Sequence, residues 1–297
     1  MTQSHGHHHH LDRTSDRRLS LAVVVNLALT LVQVAGGLVS GSLSLIADAL
    51  HNLGDAAALG IALFARKISR RPANRSKTFG YKRAELIAAL INLTTLIIIG
   101  LYLALEALWR FIEPQAIHGW IVVAVAGAAL LVNTATAVLT HSLSRVSLNV
   151  RAAFMHNLSD ALASLGVIIA GVLILLYRWY WVDALLTLLI AGYVLYQGFS
   201  LLPQTIHILM QGTPAHVSID RVITALEGLE QVESVHHVHV WQLDERRNAL
   251  EAHIVVQDVN LLHIEAIKQR IRDSLKTEFD ITHSTLEIEI PRGECTV

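Results

Sequence analysis

Six apolar stretches, at about 18–40, 43–66, 83–108, 118–141, 149–177 and 181–208, dominate this chain of 297 residues. Each is long enough to cross a hydrocarbon layer of about 30 Å as a helix, which takes about 20 residues. In lipid a spanning segment must satisfy its own backbone N–H and C=O groups, so stretches of this length read as helices. The expectation is an all-α six-helix transmembrane domain over residues 18–210. Composition agrees: 53% of residues are hydrophobic and only 16% charged, against about 25% charged in a soluble domain. The formal net charge of -1 gives no reason to expect nucleic acid as a partner.

The pattern changes at Gly212-Thr213-Pro214. Residues 213–297 read as a small α/β domain with a helix at about 216–229, strands at 234–243 and 248–257, a helix at 261–277 and a strand at 283–290. The αββαβ order predicts a ferredoxin-like sheet with helices on one face. Alternation in the first strand groups Val235, His237, His239 and Trp241 on one face, against His236, Val238 and Val240.

Basic residues fix the expected orientation. The loop between the second and third stretches carries Arg66, Lys67, Arg70, Arg71, Arg75, Lys77, Lys82 and Arg83. Arg145 and Arg151 lie between the fourth and fifth, and Arg13, Arg17 and Arg18 precede the first. With six spans these all fall on one side, so both termini are expected in the cytoplasm. Arg178-Trp179-Tyr180-Trp181 reads as an aromatic belt at the opposite interface. The first apolar run is too long for a signal-peptide core and is expected to remain as a span.

Within this apolar background one phrase occurs twice: His51-Asn52-Leu53-Gly54-Asp55 and His156-Asn157-Leu158-Ser159-Asp160. His and Asp four apart share a helix face. Ionisable groups at membrane depth are costly and mark ion or proton pathways. Asp55 lies about 20 Å along the second span, and His156 and Asp160 about 10–17 Å along the fifth. Antiparallel helices can therefore bring the copies to one depth. Two carboxylates neutralise a divalent cation, and two imidazoles add nitrogen ligands that suit tetrahedral Zn²⁺ rather than Mg²⁺ or Ca²⁺. Protons and metal compete for these atoms, so the ligand set itself implies exchange of Zn²⁺ for H⁺. Asp48 shares the face of His51 and Asp55, as a relay or as a packing group bonded to neighbouring helices. Gln33, Asn92 and Asn133 read as interhelical hydrogen-bonders.

The ends of the chain say less. Residues 1–17 form a polar tail with His5, His7, His8, His9 and His10, which can concentrate metal or be a cloning remnant. The single cysteine, Cys295, excludes an intrachain disulfide; it is a free thiol or a soft metal ligand.

Several motifs together resemble the cation diffusion facilitators, in particular their zinc-transporting branch. They are Ser42-Leu43-Ser44-Leu45-Ile46-Ala47-Asp48-Ala49-Leu50-His51 through Asp55, Thr78-Phe79-Gly80-Tyr81, Asn149-Val150-Arg151-Ala152-Ala153 through Asp160, and His237-Val238-His239-Val240-Trp241. The resemblance implies a homodimer in a lipid bilayer, a metal-binding cytoplasmic domain, and export of Zn²⁺ from the cytosol against proton influx. It also implies that His51, Asp55, His156 and Asp160 form the transport site. Asp stands at the position of His51 in manganese and iron branches, so His51 argues for zinc; Co²⁺ and Cd²⁺ remain plausible cargo. By the same resemblance His237, His253, His263 and His283 match positions that bind zinc between the two cytoplasmic domains, with Glu287 or Asp258 adding an oxygen. His236 and His239 lie beside this set, and all of these histidines can also be ordinary surface or core residues.

Two departures stand out. Residues 66–83 contain no His or Asp, so a loop metal site known in some relatives is not expected. Gln211 replaces an acidic residue before the Gly-Thr-Pro, so an ion pair from there to Lys82 or Arg83 is not available. The loop between spans four and five lacks a long His-rich insertion, which resembles bacterial plasma-membrane members more than eukaryotic vesicular ones. Two other classes compete. An intramembrane metalloenzyme would need an open metal position and typically a His-Glu-x-x-His motif, which the chain lacks. A metal-sensing membrane protein would use the C-terminal domain as its output.

Overall fold

The computed structural model describes residues 25, 27–144, 148–244, 246–257 and 261–290; at 59, 139–144, 148–153, 156, 261 and 262 it describes the backbone alone. Among the described residues six helices come first, the first of them short. Helix α1 is apolar over Leu27–Ser40. It is followed by α2 (Leu43–Ser69), α3 (Ala84–Ile112), α4 (Gly119–Ser144), α5 (Leu148–Tyr177) and α6 (Trp181–Leu209). Then come α7 (Ile219–Glu227), β1 (Val232–Gln242), β2 (Asn248–Val256), α8 (Leu261–Phe279) and β3 (Ile281–Glu289). The αββαβ order is the one read from the sequence.

Among the described residues four helical segments are apolar and long enough to cross a membrane by themselves: Ala84–Ile112, Gly119–Val138, Asn157–Tyr177 and Trp181–Leu209. Helix α2 has the length, with 27 residues, but carries Asp48, His51, Asn52 and Asp55. Those side chains lower its hydropathy, and Gln33 of α1 supplies hydrogen-bond partners to Asp48 and Asn52. The chain forms two contact units. One holds the described residues up to Ile61 together with Ile91–Ser200; the other holds Ala62–Leu90 and the residues from Leu201 onward.

In the first unit α1 turns into α2 at Gly41, whose φ of +75° suits a residue without a side chain. Leu45, Ile117, Val122, Ala126, Val167 and Ile174 form one buried cluster; Leu43, Ala47, Leu103, Ala107 and Ala191 form another. Helices α4 and α5 approach closely at Gly171, where a Cβ would lie 2.8 Å from Val123 Cγ2. Small residues at such crossings let helices pack without a hydrophobic driving force.

The start of α2 is held by a residue 140 positions away. Asp183, on the first turn of α6 and 1% exposed, accepts hydrogen bonds from Leu43 N at 2.7 Å and from the Ser42 and Ser44 hydroxyls at 2.6 Å each. The first turn of α2 has no acidic residue of its own. A carboxylate from α6 therefore caps it and satisfies amides that have no intrahelical partner. Asp183→Ala should strand these buried donors and cost roughly 3 kcal/mol. Thermal unfolding of the full-length protein in detergent would show this as a lowered midpoint; an unchanged midpoint would remove Asp183 from the fold's supports.

The second unit contains a three-stranded sheet of order β1-β2-β3. Strands β1 and β2 run antiparallel, and β2 and β3 parallel. Val222 and Leu226 of α7 and Ile267, Ile271 and Leu275 of α8 pack on Leu250, Ala252, Ile254 and Val256 of β2. The opposite face of β2 carries Glu251 and His253. Residues 207–213 connect α6 to this domain: His207 Nε2 lies 2.8 Å from the Thr213 carbonyl, and the Thr213 hydroxyl donates to the Val240 carbonyl at 3.1 Å.

The alternation expected in β1 is corrected by a bulge. The β1–β2 register shifts between His236 and His239, and His237 has a φ of +51°. Val235 and Val240 are both buried in the core, though an odd separation would put them on opposite faces of a regular strand. One extra residue reverses the alternation and returns both to the helix-covered face. His236 then pairs with His253 and His239 with Glu251.

Candidate metal sites

On α2, one turn of helix separates His51 from Asp55 and places His51 Nε2 3.6 Å from Asp55 Oδ2. The His51 ring also meets the edge of Tyr193 on α6, with centroids 6.1 Å apart. It borders a cavity of about 190 Å³ between α2, α3 and α6, with Asn92 and Thr95 among its lining residues. On α5, Asp160 is 4% exposed. His156 lies one turn earlier on the same helix, and its side chain is outside the described residues.

Asp48 connects the two helices electrostatically. It is 1% exposed and near enough to Asp160 for the two carboxylates to repel. Gln33 on α1 donates to Asp48 Oδ2 at 2.6 Å and accepts from Asn52 at 3.3 Å. The interhelical role expected for Gln33 is thus realised against the face that carries His51 and Asp55. Asp48 of α2 and Asp160 of α5 thus place two buried carboxylates near one another. A divalent cation relieves such repulsion, and so do protons.

A second constellation lies on the helix-free face of the sheet. His236, His253 and Glu289 each present a ligand atom, all within 4.8 Å of one another. Glu289 Oε1 is 2.6 Å from His253 Nδ1, and Glu289 Oε2 is 3.3 Å from His236 Nε2. Glu287 Oε2 stands 3.5 Å from His253 Nε2. The His237 ring packs at 4.8 Å from His253 and 4.7 Å from His239. Two imidazoles and a carboxylate are a suitable donor set for zinc, with bonds of about 2.0–2.2 Å. A small inward movement of these side chains would close them on an ion.

Of the four cytoplasmic positions named from the sequence, His253 lies in this cluster and His237 beside it. His263 is exposed on the first turn of α8. His283 packs edge-on against Phe79 at 5.7 Å. It sits six residues before Glu289 on β3, about 20 Å along the strand. Asp258, Cys295 and the N-terminal histidines fall outside the described residues. Glu289 is the member of this cluster that sequence reasoning missed. Its signal is modest: it follows Glu287 with a period of two, on the strand face opposite Leu286 and Ile288.

The comparisons with known proteins cover both parts. A family model for the cation efflux transmembrane domain matches residues 19–210, and one for the cation efflux protein cytoplasmic domain matches residues 214–290. A cadmium, cobalt and zinc/H(+)-K(+) antiporter of Bacillus subtilis is 34% identical over 95% of this chain and 91% of its own length. The zinc transporter ZitB of Escherichia coli is 36% identical over 97% and 93%. The metal cation efflux system protein CzcD of Cupriavidus metallidurans is 34% identical over 96% and 90%. The chain belongs to the cation efflux family, the cation diffusion facilitators, as a multi-pass membrane transporter of cations and not an enzyme.

Proposed function

We propose that this protein exports Zn²⁺ from the cytosol in exchange for protons, with Co²⁺ and Cd²⁺ as further cargo. The observation that carries the reading is the pair of buried carboxylates Asp48 on α2 and Asp160 on α5, with His51 one turn from Asp55. The transport site is His51, Asp55, His156 and Asp160, four ligands in a tetrahedral arrangement. Zn²⁺ here is the cargo. When it leaves, the repelling carboxylates and the imidazoles take up protons, and the reverse exchange completes the cycle. The names of the relatives, a zinc transporter and a cadmium, cobalt and zinc antiporter, support the cargo and the coupling.

The basic loop at 66–83 supports cytoplasmic termini in a bacterial inner membrane. The match to the family's cytoplasmic domain supports a homodimer. In that domain His236, His253 and Glu289 would hold a regulatory zinc, and His237, His263 and His283 belong to the wider candidate set. His253→Ala, made together with Asp160→Ala to silence the membrane site, should weaken the remaining zinc affinity by about 100-fold. Calorimetric titration of the full-length protein reads this directly, and an unchanged isotherm would take the cluster out of zinc binding.

The competing reading is a metal sensor whose C-terminal domain is the output; the same histidine cluster is its supporting observation. Cellular zinc content separates the two. Cells expressing the protein in zinc-rich medium should hold less zinc than cells expressing His51→Ala. Equal zinc content in both would favour the sensor.

A further inference from the structure

A cavity of about 370 Å³ lies in the second unit, bounded by the segment from Lys77 to Ala84 and by Ile87, Gln211, Trp241, Leu243 and Arg247. None of the proposed metal ligands lines it. Four of its lining side chains are cationic, Lys77, Lys82, Arg83 and Arg247, and none is acidic. Arg247 is paired with Asp244 at 2.7 Å. Arg83 uses its Nε on the Leu243 carbonyl at 3.4 Å. Among the described residues Lys77, Lys82 and Arg83 form no ion pair. Trp241 adds a buried indole N–H with no acceptor among the described residues. Buried donors of that kind are uncommon and point to a missing partner.

The site is built in advance. Asn74 fixes the loop by accepting from the Ser76 and Lys77 amides at 3.0 and 2.8 Å, and it donates to Tyr81 at 2.7 Å. Gly80 turns the chain with a φ of +78°. Lys82 and Arg83 directly precede α3, and Gln211 lies two residues past the end of α6, two helices apolar enough to span a membrane. The cavity therefore sits where hydrocarbon gives way to headgroups. Its rim is apolar: Phe79 and Ile87 are 57% and 50% exposed. Cations beside exposed apolar side chains match an amphiphile, whose phosphate takes the charges and whose chains follow α3. Inorganic phosphate would make no use of that rim.

We propose that this cavity binds the phosphate headgroup of an anionic phospholipid. Lys77, Lys82 and Arg83 supply the charge, and the Trp241 indole supplies a further donor. Basic pockets at helix ends on the cytoplasmic side have the right chemistry for such headgroups.

The test is native mass spectrometry of the full-length protein in mild detergent with phosphatidylglycerol and phosphatidylcholine at equal concentration. The wild type should retain phosphatidylglycerol in preference. Lys82→Gln with Arg83→Gln should weaken that retention by about 30-fold. Trp241→Phe keeps every charge and should weaken it several-fold, which guards against a folding defect in the double variant. Arg270→Gln with Arg272→Gln removes the same charge from exposed positions on α8 and should change nothing. Equal retention of both lipids by the wild type would overturn the proposal. So would full retention by the Lys82 and Arg83 double variant, or an equal loss in the α8 pair. Displacement of phosphatidylglycerol by millimolar inorganic phosphate would assign the cavity to the free ion and overturn the lipid reading.

Discussion

Asp160→Ala should reduce zinc transport by about 100-fold or more while leaving the fold in place. Even partners that only orient a metal ligand cost about 10–100-fold when removed, and a direct ligand should cost at least as much. The carboxylate is 4% exposed and acts repulsively on Asp48. Its removal therefore relieves like-charge repulsion in the metal-free protein, so the melting midpoint should stay within a few degrees. Zinc uptake by everted membrane vesicles, normalised to protein amount, measures the loss. Transport at more than about one tenth of the wild-type rate would remove Asp160 from the site.

His51→Asp should change what is carried rather than whether anything is carried. The substitution keeps a ligand but replaces nitrogen with oxygen, leaving one imidazole and three carboxylates. Harder oxygen donors suit Mn²⁺, which binds imidazole and thiolate sites less well than zinc does. The preference for zinc over manganese should fall by about tenfold or more. The shorter side chain also withdraws from the Tyr193 ring, which His51 meets at 6.1 Å. Competition between the two metals for uptake in the same vesicles gives the ratio. An unchanged ratio would show that position 51 does not choose the cargo, and His51→Ala, which removes the ligand, should lose both metals.

The sequence was most legible where a pattern is local. Long apolar stretches announced the helices, and the change from helical to two-residue periodicity announced the αββαβ domain with boundaries close to those observed. The repeated His-x-x-x-Asp phrase put His51 and Asp55 on one face because four residues make about one helical turn. What alternation could not reveal was the bulge in β1. A single extra residue between His236 and His239 reverses which side chains face the helices. That reversal puts His239 on the face of His236, which strand parity alone would separate, and His236 pairs with His253. Glu289 joins them through the β2–β3 register, which links His253 to Glu287 and Val255 to Glu289. The cap on α2 was equally hidden, because Ser42 and Asp183 meet only once six helices have packed.

Proton coupling through the proposed ligands on α2 and α5 is the central claim, and one flux measurement tests it most directly. The full-length protein is reconstituted into liposomes, zinc is supplied outside, and a pH gradient is imposed with the acid side within. Zinc uptake should rise with the gradient, protons should leave as zinc enters, and both should vanish in Asp160→Ala. Zinc binding with no gradient-dependent uptake, the same in wild type and variant, would contradict the account and turn attention to His236, His253 and Glu289 as the core of a sensor.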